Sequence, residues 1–90
     1  MPLRYTAIFT GRVQGVFFRA TARDLAAGHA VTGWVRNERD GSVKLVVEGE
    51  KDDLDRFIDA IKRAKRPNIE AVTIDESPAK GEFDGFEVRY

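Results

Sequence analysis

The chain has 90 residues, of which 42% are hydrophobic and 33% charged, and its fifteen basic and fifteen acidic side chains give a formal net charge of zero. This length predicts one domain, residues 1–90, and the charge balance argues against a broad nucleic-acid or membrane surface. Because the chain has no cysteine, disulfides, thiolate nucleophiles, iron–sulfur clusters and cysteine zinc sites are excluded.

Hydrophobic periodicity predicts five strands and two helices. Alternation of apolar and polar residues indicates strands, whereas in the second predicted helix apolar residues recur at i, i+3, i+4 and i+7 from Leu54. Asp40 and Gly41, between two strand patterns, predict a hairpin. In chain order we predict a strand at 3–10, a helix at 18–27, strands at 30–37 and 43–48, a helix at 51–64, and strands at 69–75 and 86–90.

This order of elements predicts an α+β fold of the ferredoxin-like, split βαββαβ type. Both crossovers then place their helices on one face of an antiparallel sheet, and the last segment adds an extra C-terminal edge strand. Many functions use this fold, so specific residues have to identify the function.

The most informative segment is residues 11–19, Gly-Arg-Val-Gln-Gly-Val-Phe-Phe-Arg, between a predicted strand and a predicted helix. Free backbone N–H groups at a helix N-terminus favour an anion, and the Arg19 guanidinium can bind two phosphate oxygens at once. Gly11 and Gly15 lie four positions apart with no lysine after them, which excludes a Walker A loop. Two glycines alone are more often a structural turn.

Other single residues have simpler structural interpretations. Asn37, just before a turn, would by itself be a turn residue bonded to its own backbone. His29 is the only histidine and follows the end of the first helix, so we predict a surface position without metal. Trp34 is predicted to lie in the core. Four basic residues at the end of the second helix suit a helix C-terminus, and a nucleic-acid role for this basic patch is the alternative: Lys62, Arg63, Lys65 and Arg66.

The segment at residues 11–19, followed by Gly-Trp-Val-Arg-Asn at 33–37 and Asp-Gly-Ser-Val at 40–43, resembles the acylphosphatase family over the whole chain. The resemblance implies hydrolysis of carboxylic–phosphoric anhydrides, with Arg19 binding the phosphate and Asn37 positioning the attacking water. It also implies a phosphate site built from the backbone amides of Gln14, Gly15, Val16, Phe17 and Phe18.

The chain departs from the family pattern at two places. Glu38 stands where family members usually carry threonine, and Lys65-Arg66-Pro67-Asn68 replaces a Gly-Pro-Pro-like segment. Neither departure touches Arg19 or Asn37. We therefore expect them to affect substrate range and loop shape more than activity.

Hydrolysis of an acyl phosphate can be carried out by one arginine, a set of backbone amides and one asparagine. The leaving group is a carboxylate whose conjugate acid has a pKa of about 4.3, so it can depart without being protonated. The loose transition state of phosphoryl transfer is stabilised mainly by positioning of the reactants and by positive charge. An asparagine can hold a water for in-line attack without adding negative charge. Because the motif holds no histidine, we predict that a phosphoryl oxygen takes the water's proton, and we predict no covalent intermediate. Because the chain has no cysteine, a single histidine and no apparent cluster of acidic ligands, we also predict that no metal and no organic cofactor is needed.

Two other classes of function remain open at the level of the sequence. An RNA-binding module of the RRM type shares this order of elements, but its aromatic signature is absent from the third strand. A non-catalytic domain that senses phosphate or an acyl phosphate would keep the same loop. With no apolar run of membrane-spanning or signal-peptide length, we predict a monomeric, cytoplasmic enzyme that binds a small acyl phosphate and neither nucleic acid nor membrane.

Overall fold

The computed structural model describes residues 1–90. Its elements follow the predicted order and differ from the predicted bounds by at most three residues. No helix has the length and apolar character needed to cross a membrane. The elements are β1 Leu3–Gly11, α1 Phe18–Ala26, β2 Thr32–Asn37, β3 Val43–Gly49, α2 Lys51–Ala64, a 3₁₀ turn at Arg66–Asn68, β4 Ile69–Pro78 and β5 Phe86–Arg89.

The five strands form one sheet in the order β4-β1-β3-β2-β5. The first four strands pair antiparallel, as predicted, and β5 is the extra C-terminal edge strand. Its pairing with β2 is parallel, from Gly33 opposite Phe86 to Arg36 opposite Arg89. The α+β split βαββαβ fold is therefore confirmed, with a parallel edge that the sequence pattern does not predict.

Alternation along the strands decides which side chains meet the helices. In β1, Tyr5, Ala7 and Phe9 are buried, and in β3 their partners Val47, Leu45 and Val43 are buried on the same face. The helices close this face because each has one apolar stripe. The helix residues buried there are Phe18, Ala22 and Ala26 of α1 and Leu54, Phe57, Ile58 and Ile61 of α2.

Trp34 is buried, with 9% of its surface exposed, but it does not lie in the core between sheet and helices. Its neighbour Val35 faces the helices, so the strand alternation turns Trp34 to the opposite, open face. There the guanidinium groups of Arg36 and Arg89 both stack over its ring, at 4.9 and 4.8 Å from the ring centre. The burial predicted for Trp34 is confirmed, but on the face opposite the helices, because the sequence pattern does not tell which face of the sheet the side chain occupies.

The open face also holds the segment that leads into β5. The Glu48 carboxylate, buried on β3, accepts hydrogen bonds from the Arg4 guanidinium and from the backbone N–H groups of Lys80 and Gly81. Burial alone raises the pKa of Glu48, but the bonds from Lys80, Arg4 and Gly81 outweigh it and hold the pKa below its ordinary value. Segment 79–85 is thereby fixed across the sheet, which determines where β5 and the C-terminus lie.

Candidate active site

Residues 12–17, which we call the glycine loop, connect β1 to α1. Gly15 has φ +75° and Phe17 has φ +61°, while Val16 between them has no positive φ. Backbone of alternating φ sign turns successive N–H groups toward one concavity that suits an anion. A Cβ on Gly15 would meet no atom within 4 Å, so glycine is required there by its backbone conformation and not by space.

The amides of this region have no partner in the protein. The backbone N–H groups of residues 14 to 18 donate to no protein acceptor. Phe17 is the N-cap of α1 and provides no side-chain cap, and no acidic residue lies in the first helical turn. The positive end of the α1 dipole therefore opens on the glycine loop without a protein anion to satisfy it.

Gly11 has a different role from Gly15, although both belong to the same motif. It ends β1 at an irregularity in the pairing with β4 and has φ +118°. A Cβ there would lie 2.5 Å from the Asn68 carbonyl oxygen and 2.7 Å from the Glu70 nitrogen. Glycine at this position therefore lets the start of β4 approach β1 closely.

Arg19 lies in the first turn of α1 and is half-buried. Its guanidinium stacks over the Tyr90 ring, with Cζ 4.7 Å from the ring centre. It makes no hydrogen bond or ion pair with any protein group. Five other arginines, by contrast, bind carboxylates: Arg4, Arg23, Arg36, Arg56 and Arg89. Stacking restricts the plane of the guanidinium and leaves its N–H edges available to a ligand.

Asn37 is the last residue of β2, paired with Val43 of β3. Asn37 lies two residues after Val35 on the same strand, so both side chains are on the face of the sheet that the helices cover. Asn37 also lines the same cavity as Arg19. Its side-chain amide makes no hydrogen bond within the protein, so it is not engaged with its own turn as its position alone suggested. That cavity, of about 280 Å³, is lined by Val13, Gly15, Phe17, Phe18, Arg19, Ala20, Arg23, Asn37, Val88 and Tyr90.

The structure thus brings together most of the residues that the sequence singles out. Gly15, Phe17, Phe18, Arg19 and Asn37 share one cavity. Two further members of the predicted amide set, Gln14 and Val16, lie in the glycine loop but do not line the cavity, because their side chains are turned to other parts of the protein.

The Gln14 side chain joins the glycine loop to the β2–β3 turn. Its Nε2 donates to the carbonyl oxygens of Glu38, at 2.7 Å, and Ser42, at 2.9 Å. The turn itself is held by Asp40, whose carboxylate accepts from the Ser42 hydroxyl and backbone N–H, and these bonds lower the pKa of Asp40. The loop that carries the free amides and the turn that follows Asn37 are therefore one connected unit.

Glu38, the first departure from the family pattern, directs its charge away from the cavity. Its carboxylate accepts from Arg36 Nε at 2.9 Å, and this bond raises the pKa of Arg36. Glu38 is absent from the residues that line the cavity. Its negative charge is thereby partly neutralised and kept off the place where an anion would bind.

Five residues that line the cavity lie outside the predicted site set: Val13, Ala20, Arg23, Val88 and Tyr90. Arg23 follows Arg19 by four positions, so helical spacing already places both on one face of α1. Tyr90 and Val88 reach the cavity only because β5 pairs beside β2, and no local signal in the sequence predicts that pairing.

The remaining candidates lie elsewhere. His29 packs its ring against Phe57 at 5.7 Å between centres, outside the cavity. At the start of α2, Asp52 and Asp53 occupy the first helical turn, where the helix dipole favours acidic side chains. The structure brings no three His, Cys, Asp or Glu side chains together in a metal-binding arrangement.

Comparison with known proteins finds acylphosphatases both by sequence and by structure. A sequence model of the family "Acylphosphatase" matches residues 5–88. An acylphosphatase of Salinibacter ruber is 49% identical over 87 residues, covering 96% of this chain and 92% of the relative, and one of Aeropyrum pernix is 42% identical over 90 residues, covering 98% and 89%. The crystal structure of acylphosphatase from Bacillus subtilis superimposes with a TM-score of 0.88 at 31% identity, covering 98% of this chain and 99% of that one.

Proposed function

Because the chain belongs to the acylphosphatase family and hydrolyses acyl phosphates, we propose that the cavity between α1 and β2 is where this hydrolysis takes place. One observation carries the proposal: the Arg19 guanidinium and the loop residues Gly15, Phe17 and Phe18, whose backbone amides are not bonded to the protein, line one cavity together with Asn37. Unpaired donors of this kind are the groups that an anion satisfies.

In this proposal the phosphoryl group binds between Arg19 and the amides of residues 14 to 18. The guanidinium contacts two of its oxygens through charge-assisted bonds, and the amides contact the others at the positive end of α1. These donors become more effective as the phosphoryl group separates from its leaving group, because the charge then spreads over the oxygens that they face.

Asn37 holds the attacking water in line with the bond that breaks. Its side-chain amide is free of protein partners, so its carbonyl oxygen and its NH₂ group are both available to hold the water without adding negative charge. Water attacks phosphorus, the P–O bond to the acyl group breaks, and its electrons leave with the carboxylate. The water's proton passes to a phosphoryl oxygen, so that the products are a carboxylate and inorganic phosphate.

The cavity also supports direct attack without a covalent intermediate. Apart from the Tyr90 phenol, whose ring stacks against Arg19, its lining includes no side chain of a type that becomes phosphorylated or acts as a general base. The leaving carboxylate is stable at neutral pH without protonation. That the enzyme is a monomer, is cytoplasmic, forms one domain over residues 1–90 and works without a metal or cofactor stays a prediction.

Hydrolysis of a small acyl phosphate in water enriched in the heavy oxygen isotope tests this chemistry. We expect each enzymatic turnover to place one heavy oxygen in the phosphate and none in the carboxylate, because water attacks phosphorus. With substrate labelled in its phosphoryl group, acid quenching during turnover should leave no label on the protein. Heavy oxygen in the carboxylate, or labelled protein, would contradict the proposed attack.

A further inference from the structure

Lys65 connects the end of α2 to the glycine loop. It is the C-cap of α2, where its backbone N–H donates to the Ile61 carbonyl and its own carbonyl accepts from Asn68 N–H. Its side chain extends from this fixed position to the loop, and Nζ donates to the Val16 carbonyl oxygen at 2.6 Å. A charged donor at this distance forms one of the stronger classes of hydrogen bond.

The Val16 carbonyl has no other donor in the protein. A regular helical bond would come from the N–H of Ala20, but no backbone group donates to Val16, whereas the next carbonyl, that of Phe17, accepts from Thr21 N–H at 3.0 Å. The half-buried Lys65 ammonium is therefore the only protein group that fixes this carbonyl.

The peptide unit that Lys65 holds carries one of the free amides. The chain has no cis peptide bond, so the Val16 C=O and the Phe17 N–H point in opposite directions from one planar group. Holding the carbonyl toward α2 keeps the Phe17 N–H turned the other way, into the concavity of the loop. This peptide precedes Phe17, the one non-glycine residue with positive φ, a conformation that persists only when its surroundings hold it.

We propose that Lys65 is a positioning residue of the phosphate site. It fixes the peptide between Val16 and Phe17 so that the amide faces the phosphoryl group, and its ammonium charge lies one peptide unit behind that amide. This inference rests on the proposed function of the glycine loop. It also gives a role to the second departure from the family pattern, since Lys65 begins the segment that replaces the Gly-Pro-Pro-like sequence.

Lys65→Met tests the inference, because it removes the ammonium and keeps an unbranched apolar stem. We expect the KM for an acyl phosphate and the inhibition constant of inorganic phosphate to rise together by roughly three- to tenfold, the range for loss of a partly exposed charged hydrogen bond. The value of kcat should stay within about twofold, because Arg19 and Asn37 are unchanged. Lys65→Arg, which keeps a charged donor, should restore most of the affinity for phosphate.

Lys62→Met is the matched control. It removes the same charge from the same end of α2, and Lys62 is exposed and makes no hydrogen bond or ion pair with the protein. Equal inhibition constants for phosphate in the Lys65→Met and Lys62→Met proteins would overturn the inference, as would a Lys65→Met protein that is only less stable to heat.

Measuring an Arg19→Ala protein in the same series distinguishes a wrong role for Lys65 from a wrong location of the phosphate site. If Arg19→Ala loses phosphate binding and Lys65→Met does not weaken it, only the role of Lys65 is wrong. If Arg19→Ala binds phosphate as well as the wild type, the phosphate site itself lies elsewhere and the inference about Lys65 falls with it.

Discussion

Arg19→Ala is expected to reduce turnover of an acyl phosphate by about a thousandfold or more and to remove measurable binding of inorganic phosphate. The side chain supplies the only guanidinium that lies in the cavity without a protein acceptor. Its loss therefore removes a bidentate, charge-assisted contact that becomes stronger as the transition state develops. Steady-state kinetics and phosphate inhibition measure the two effects.

The same substitution should change the free energy of unfolding little. Arg19 makes no hydrogen bond or ion pair with the protein and loses only its stacking on the exposed ring of Tyr90, which is worth about 0.5–1 kcal/mol. Arg63→Ala, at the exposed end of α2, removes the same charge away from the cavity and should leave turnover near the wild-type value. Near-normal activity in a folded Arg19→Ala protein would mean that the assignment of Arg19 is wrong.

Arg19→Lys should recover only a small part of the activity. Lysine keeps the positive charge, but its ammonium is a point donor that cannot contact two phosphoryl oxygens in a plane. It also loses the flat group that stacks on Tyr90 at 4.7 Å. Full recovery would show that charge alone, without the planar geometry, is what the site requires.

Asn37→Ala is expected to lower kcat by roughly a hundred- to a thousandfold while KM and the inhibition constant of phosphate change by less than about twofold. The separation follows because Asn37 acts on the water, whereas Arg19 and the loop amides bind the phosphoryl group. Because the Asn37 side chain has no partner in the protein, its removal should leave thermal stability nearly unchanged.

Asn37→Asp should behave differently from Asn37→Ala. It keeps the shape of the side chain but places a negative charge beside the phosphoryl group, so both binding and turnover should suffer. The loss of binding should grow as ionic strength falls, because screening of the repulsion weakens. A raised KM with unchanged kcat in Asn37→Ala would instead make Asn37 a binding residue, and another group would have to hold the water.

Most of the fold could be predicted from local patterns. The bounds of α2 agree with the prediction because four apolar residues repeat on one face between a first turn rich in acids and a basic last turn. The strand β4 extends three residues beyond its predicted end, because residues 76–78 have no strand pattern of their own and join the sheet only by pairing with residues 3–5 of β1. The parallel pairing of β5 depends on how segment 79–85 crosses the open face, where Glu48 holds it, and such long-range contacts leave no periodic signal.

The residues of the candidate site likewise include some that local motifs predict and some that only long-range contacts bring to the site. Arg19, Asn37 and the loop amides could be predicted because they lie inside contiguous motifs whose residue types suit a bound phosphate. Lys65 and Tyr90 could not, because their roles depend on contacts across the fold: Lys65 reaches Val16 over 49 positions, and Tyr90 reaches Arg19 only after β5 has paired with β2.

Titration of the protein with inorganic phosphate, followed residue by residue through the NMR signals of the backbone amides, tests the phosphate site most directly. We expect the largest shifts at the amides of residues 14 to 18, saturating with one phosphate, and their loss in the Arg19→Ala protein. Shifts centred on the basic end of α2, at Lys62, Arg63 and Arg66, with the amides of residues 14 to 18 unmoved, would contradict it.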